Sequence, residues 1–374
     1  MLSARMALAD LPVPLKLPPM EAKLVDELPP GEGWRFEPKW DGFRCLAFRA
    51  GEAVELKAKS GKPLGRYFPD VVEMLQRLPV DRFVIDGELT IAVNGELSFD
   101  ALQLRLHPAE SRVRKLAAEH PASLVLFDCL MDARGRSLVE APLSKRRAAL
   151  EALYRRFKSP ERISLSPGTE DRAQARAWLR EVGSALDGVV AKRLDGPYVP
   201  GERAMLKIKR MRTADCVVGG FRYEQGSREV GSLLLGLYDD AGRLDHVGFT
   251  STITDAERPA LTGRLEALAG GDGFTGDKPG GPSRWSNGRS VEWTPLRPEL
   301  VAEVRYDHVT GNRFRHGTKL IRFRPDKAPR QCTMEQLRGE AAPSRILAMT
   351  RTDQPLVPAK AGARAESRQP TPRA

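Results

Sequence analysis

The chain has 374 residues, 41% hydrophobic and 29% charged, a balance that excludes low-complexity disorder and leaves room for two separate cores. Sixty Lys and Arg against 49 Asp and Glu give a net charge of +11. That points to a polyanionic partner, most often nucleic acid, with a solvated basic surface as the plain alternative. No run of about 18 apolar residues is present, which argues against a membrane span. The first residues lack the continuous apolar core of a signal peptide, so a cytoplasmic location is expected. The four cysteines, Cys45, Cys129, Cys216 and Cys332, form no CxxC pair and read as small core residues; the five histidines have no metal-ligand spacing.

Residues 1–30 are Pro-rich and irregular. From Trp34 the pattern predicts strands at WRFEPKW, FRCLAFRA, AVELKAK and FVIDGELTIAV. Helices are predicted over 100–106 and 110–119, a buried strand at SLVLFDCL, and amphipathic helices at LSKRRAALEALYRRF and DRAQARAWLREVG. LDGVVAKR and MLKIKR return to strand. This mixture predicts an α+β domain over residues 1–210. After MRTADC come six strand-like pieces, CVVGGFRY, GSLLLGLYD, LDHVGFTS, SVEWTP, LVAEVRYD and KLIRFRP, interrupted by a helix-like insert over 255–269. Short strands with Gly turns and one helix suit an OB-fold β-barrel, expected over 211–342. Residues 270–288 read as a loop. Residues 343–374, which lack apolar periodicity, read as a flexible basic tail.

Acids and bases stand inside several of these strands. Asp86 and Glu88 lie in VIDGEL, Asp187 and Lys192 in LDGVVAK, and Lys207 and Lys209 two apart in MLKIK, on one strand face. Burying unpartnered charges is costly, so such groups should meet each other, a metal or a phosphate. The competing reading is a set of strands with solvent-facing polar sides. No GxxxxGK[ST] pattern occurs, so a nucleotide would be held some other way. Lys39, in EPKWDGFR, follows a Pro and stands two residues before Asp41. Neighbouring cations such as Lys207 and Lys209, or desolvation, would lower its pKa and make it a nucleophile. A lysine attacking phosphorus forms a phosphoramide.

The chain resembles the covalent nucleotidyltransferases: ATP-dependent DNA ligases, RNA ligases and mRNA capping enzymes. KWDG (Lys39–Gly42), DGE (Asp86–Glu88), LFD (Leu126–Asp128), DGVVAK (Asp187–Lys192), Lys207-Ile208-Lys209 and RPDK (Arg324–Lys327) match the family's motifs in order. One KxDG is a weak signal; six motifs in order are specific. FDALQLRLHP, SRVRKLA, RPELVAEVRYDHV and FRHGTKLIRFRPD are most similar to the small bacterial ATP-dependent DNA ligases of the C type.

The resemblance implies an ATP-grasp-like nucleotidyltransferase domain followed by an OB domain, acting on nicked double-stranded DNA with ATP and Mg2+ (or Mn2+). It also implies a monomer, a place in DNA repair and a repair polymerase as a possible partner. It implies that Lys39 carries AMP, Glu37 reads the adenine amino group, Phe127 stacks on the base and Arg44 contacts the ribose. Glu88 and Asp187 become metal- and sugar-binding acids. Lys192, Lys207 and Lys209 join the nucleotide site, the last two at the ATP phosphates. Arg324, Asp326 and Lys327 would orient the leaving pyrophosphate. Two departures stand out. Most members begin the fourth motif with Glu where this chain has Asp187, and Ala58-Lys59-Ser60-Gly61 replaces a Ser-Arg before Asn-Gly, so Lys59 meets phosphate as a point charge and not as a fork. A GTP-using capping-type enzyme, an RNA ligase and a non-enzymatic nucleic-acid-binding OB protein are the alternatives.

Overall fold

The computed structural model describes residues 7–158, 160–181, 186–209, 211–280 and 292–337. The expected tail over 343–374 and the 281–288 part of the predicted loop lie outside these residues. In chain order the first part contains β1 (Ala22–Val25), β2 (Trp34–Trp40), β3 (Phe43–Ala50), β4 (Ala53–Ala58), α1 (Pro69–Gln76), β5 (Arg82–Thr90), β6 (Ala92–Val93), β7 (Glu96–Leu97), α2 (Phe99–Arg105), α3 (Glu110–Glu119), β8 (Ser123–Met131), α4 (Leu143–Arg156), β9 (Ile163–Leu165), α5 (Arg172–Glu181), β10 (Leu186–Arg193) and β11 (Met205–Ile208). The second part contains β12 (Arg212–Tyr223), β13 (Val230–Tyr238), β14 (Leu244–Thr250), α6 (Arg258–Glu266), β15 (Thr294–Pro295), β16 (Val301–Tyr306), β17 (Val309–Thr310), β18 (Arg313–Phe314) and β19 (Lys319–Phe323).

Two sheets make the first part, in the orders β4-β3-β5-β8-β9 and β1-β11-β10-β2. In β3, Cys45 and Ala47 enter the core under α1 and α4, while Leu46, Phe48 and Ala50 enter the core shared with Val84, Leu130 and Met205. Both faces are therefore buried, which is why FRCLAFRA is apolar nearly throughout. In β2 the even residues Phe36 and Trp40 pack with Val189, Ala191 and Trp178, and the odd residues Glu37 and Lys39 line a cleft between the sheets. The period of two thus sorts the apolar from the charged residues of one strand. Pro38 is tolerated because β2 is the last strand of its sheet. α1, a helix the sequence pattern did not predict, begins with Pro69 at its first turn. α2 is capped by Ser98 Oγ, which accepts from Ala101 N at 3.2 Å. The Pro-rich start is less irregular than expected, since Ala22–Val25 pairs in parallel with Met205–Ile208.

The second part is a curved sheet in the order β14-β13-β12-β16-β19, with β15 added to β12, around its own core of Val217, Phe221, Leu233, Leu235, Val247 and Val304. The long β12 shifts register between Val218 and Gly220. A Cβ on Gly219 would lie 2.7 Å from the Phe274 ring, and one on Gly220 would lie 2.5 Å from Trp293, so the Gly-Gly pair lets aromatic rings close over the bend. The expected barrel is not closed by a continuous ladder. Its edges meet at an isolated bridge, Thr250 to Thr318, where Thr250 Oγ1 donates to Thr318 O at 2.9 Å. The architecture is α+β, two packed sheets with covering helices followed by a curved, barrel-like sheet. No described helix is long and apolar enough to cross a membrane.

Candidate active site

The cleft has a volume of about 840 Å3, within the range of nucleotide-sized sites. Its walls come from side chains far apart in sequence. β2 supplies Glu37 and Lys39, β3 supplies Arg44, β5 Glu88, β8 Phe127, β10 Lys192 and β11 Lys207; Lys59 stands at the turn after β4. Register explains the meeting: Gly188 pairs with Lys39 and Val190 with Glu37 across β10 and β2, and Val190 pairs with Lys207 across β10 and β11. Two motif glycines are demanded by close approach. A Cβ on Gly42 would lie 2.2 Å from Leu89 O, and one on Gly188, at φ +140°, would lie 2.0 Å from Ile208 O.

Sequence reasoning places Lys207 and Lys209 as the cations that crowd Lys39. Beside these cations the structure sets the Asp187 carboxylate against Lys39 Nζ at 2.7 Å, and the same Oδ2 lies 3.2 Å from Lys209 Nζ. Burial pushes the Asp187 carboxyl up, but Lys39 and Lys209 outweigh it and hold the group below its ordinary value. Lys207 lines the cleft unlike Lys209, and its pKa is pushed down by burial and by Lys39, Lys209 and Lys59.

Glu37 is buried, and each of its oxygens is engaged: Oε2 by Lys192 Nζ at 2.7 Å and Oε1 by Arg35 Nε at 3.1 Å. Burial pushes this acid up, yet Lys192, Arg35 and Arg147 bring it below the usual carboxylate range. Its oxygens keep lone pairs for a further donor. Phe127 presents a ring approached by Arg44 Cζ and Lys192 Nζ, each 4.7 Å from the centroid. Arg44 is bidentate on Asp86, at 2.5 and 2.6 Å, and donates to Met20 O. Tyr198 Oη donates to the same carboxylate at 2.7 Å. Lys59 is largely exposed and pairs with Glu21 at 3.0 Å. Glu88 is pushed up to about 7, chiefly by burial, with Lys39 and Arg44 pulling down and Asp86 and Asp41 pushing up. Its negative charge is therefore incompletely balanced by the protein.

Thus Glu37, Lys39, Arg44, Lys59, Glu88, Phe127, Lys192 and Lys207 share one cleft, and Asp187 and Lys209 stand beside Lys39 in an ion-pair chain. Arg324, Asp326 and Lys327 do not line the cleft. The second part reaches it through a different segment. Asp307 Oδ2 accepts from Lys209 Nζ at 2.5 Å, and Arg315 Nη1 is 2.7 Å from both oxygens of Asp41 while its guanidinium lies 3.4 Å over the Phe99 ring. Asp86 meets a cation, as expected of an acid set in an apolar strand, whereas nothing in the sequence gave Asp307 or Arg315 a role. The only signal for these two was their place in RYDHV and FRHG, within stretches already similar to ligases.

The ATP dependent DNA ligase domain family matches residues 19–209, and the family of the ATP dependent DNA ligase C terminal region matches residues 226–327. The chain is 44% identical over 340 residues to DNA ligase C1 of Mycolicibacterium smegmatis, covering 88% of this chain and 95% of that protein. It is 46% identical over 349 residues to DNA ligase C2 of the same organism, covering 88% and 96%. DNA ligase C of Mycobacterium tuberculosis is 44% identical over 347 residues, covering 87% and 95%. A solved Lig E DNA ligase, at 16% identity, superposes with a TM-score of 0.52 over 81% of this chain and 99% of that one, a likeness of fold. Matched in both its parts and over nearly the full length of these relatives, the chain belongs to the ATP-dependent DNA ligase family.

Proposed function

We propose that the protein seals nicks in duplex DNA through an AMP carried on Lys39, with the sealing step serving DNA repair. The observation that carries this reading is a lysine at the wall of a nucleotide-sized cleft, flanked by a buried acid, an aromatic face and further lysines. The functional division runs through the segment joining β11 and β12, with adenylation residues up to about 210 and an OB part from 211 to 342.

In the resting cleft Lys39 is ion-paired with Asp187. That pair must part and a proton must leave before Nζ attacks the α-phosphorus. A bond forms between Nζ and phosphorus, the bond to the β-phosphate oxygen breaks, and pyrophosphate departs. Phe127 stacks on the base, Glu37, held by Lys192, accepts from the adenine amino group, Arg44 meets the ribose, and Lys59, Lys207 and Lys209 set the phosphates. An oxygen of the 5′-phosphate at a nick then attacks the AMP phosphorus and breaks its bond to Nζ, and the 3′-hydroxyl attacks the phosphorus of that 5′-phosphate and expels AMP.

The donor set fits a hard divalent cation. Glu88 and Asp187 are carboxylates beside Lys39, and Glu88 lacks a full counter-charge. Among the described residues no group of three His, Cys, Asp or Glu side chains is clustered to hold a metal unaided. Mg2+ held by one or two carboxylates together with substrate phosphates needs no such cluster. When bound, Mg2+ (or Mn2+) neutralises triphosphate charge and eases departure of pyrophosphate.

Incubation with α-labelled ATP tests the reading. Wild-type protein takes the label covalently and Lys39→Ala takes none; equal labelling of the two would overturn it. Label from ATP but not GTP separates it from a capping-type activity. Sealing of nicks bearing DNA or RNA on each side separates it from an RNA ligase.

A further inference from the structure

The cations of the RPDK stretch are held within the second part of the molecule. Arg324 Nη1 lies 3.1 and 3.3 Å from the two carboxylate oxygens of Asp215, and Lys327 Nζ lies 2.6 Å from Asp215 Oδ2. Asp326, at 2.8 Å, and Glu303, at 3.7 Å, complete the counter-charge around Arg324. Asp215 is itself firmly placed. It is the fourth residue of β12, the first strand after the segment joining the two parts. Gln336 clamps its backbone, with Asp215 N donating to Gln336 Oε1 at 2.9 Å and Gln336 Nε2 donating to Asp215 O at 3.0 Å. Meanwhile Asp307 and Arg315 of the same part pair with Lys209 and Asp41 of the first part.

A carboxylate and a phosphate compete for the same guanidinium fork and the same ammonium. For Arg324 and Lys327 to act on a triphosphate, their bonds to Asp215 must be exchanged for bonds to phosphate oxygens. We propose that Asp215 is a positioning residue that stores Arg324 and Lys327 away from the cleft and competes with ATP for them. This rests on the reading of Arg324 and Lys327 as groups that act on the ATP phosphates. Asp215 then sets how readily the nucleotide recruits the RPDK cations, without touching the reacting atoms itself. Because Gln336 binds only the backbone of residue 215, the side-chain charge can be removed with the β12 anchor kept.

The test measures lysyl-AMP formation in single turnovers across ATP concentrations, and separately the sealing of a pre-adenylated nick by ATP-free enzyme. Asp215→Asn lowers the ATP concentration for half-maximal adenylation by roughly ten- to twentyfold, the lower end of the scale of one charge-assisted hydrogen bond. The maximal rate and the sealing of the pre-adenylated nick stay near wild type. Asp215→Glu, which restores the anion, returns the half-maximal concentration towards wild type. A purely structural residue would instead lower both reactions together and leave the half-maximal concentration unmoved or raised; either result overturns the proposal. Arg324→Ala separates the two layers. If it leaves adenylation unchanged, the phosphate role of the RPDK stretch fails. If it raises the ATP requirement while Asp215→Asn does nothing, only the storage role of Asp215 fails.

Discussion

Arg44 shows how much a single side chain in the cleft depends on its partner. Its guanidinium closes a two-point contact on Asp86, a residue with no solvent exposure, and only Tyr198 Oη otherwise donates to that carboxylate's side-chain oxygens in the described contacts. Removing one member of a buried pair strands the other's charge, at a cost of about 3–5 kcal/mol. Arg44→Ala is therefore expected to lower unfolding stability by about that amount in denaturant titrations, besides weakening nucleotide capture. A loss below about 1 kcal/mol would mean that water reaches Asp86 freely. The pairing was not legible in the sequence, which set Arg44 towards a ribose. Nothing in FRCLAFRA or VIDGEL says that Arg44 stands diagonal to Asp86; that follows from the β3–β5 register, which pairs Arg44 with Glu88 and Leu46 with Asp86.

The β17–β18 hairpin carries at its two ends contacts between the second part and the first. Its two-residue turn, Gly311-Asn312, has both residues at positive φ, +51° and +61°, the pattern of a type I′ turn matched to strand twist. The turn fixes the ends so that Asp307 precedes and Arg315 follows it, one on Lys209 and the other on Asp41. Both pairs are charge-assisted and partly shielded. At about 1.5 kcal/mol each, removing both weakens the docking of the two parts on each other roughly a hundredfold. The double variant Asp307→Asn, Arg315→Ala is expected to show a larger radius of gyration in small-angle scattering than wild type. An unchanged radius would show that other contacts hold the parts together. The KxDG aspartate thus has a use that its motif does not announce, since its partner lies 274 residues away.

At the scale of the whole molecule, stability should depend on pH through His246, on β14 of the second part. This imidazole is 6% exposed, its Nδ1 accepts from Arg313 Nη2 at 2.6 Å, and its ring packs edge-on against Phe274. Burial, with Arg313 and then Arg222 adding repulsion, lowers its pKa to about 3, against a small opposing contribution from the Gly248 backbone. The folded state holds the neutral ring, whereas the unfolded chain takes a proton near pH 6.5. Between about pH 6.5 and pH 3 the unfolded state therefore binds more protons, and stability falls as pH falls. From pH 6.5 to pH 5 the loss is about 2 kcal/mol. Melting curves at pH 7 and pH 5 check this. His246→Gln should narrow the difference between them whatever its effect at pH 7, and an unchanged difference would assign the acid sensitivity elsewhere.

Local chemistry was written in the sequence: strands by their period of two, the six motifs by their order, and Lys39 as the odd lysine among them. The glycines of KWDG and DGVVAK were visible there too, but their reason was not. Only packing shows that a methyl group on Gly42 or Gly188 would collide with a carbonyl oxygen of a neighbouring strand. The tertiary structure alone decided which charges meet. It gave Asp187 to Lys39, Asp86 to Arg44, Asp41 to Arg315, and Asp215 to Arg324 and Lys327. The physical reason is that strand periodicity depends on residues next to one another in the chain. Ion pairs instead depend on distances of a few ångströms between strands whose register and closure the chain specifies only when it is folded.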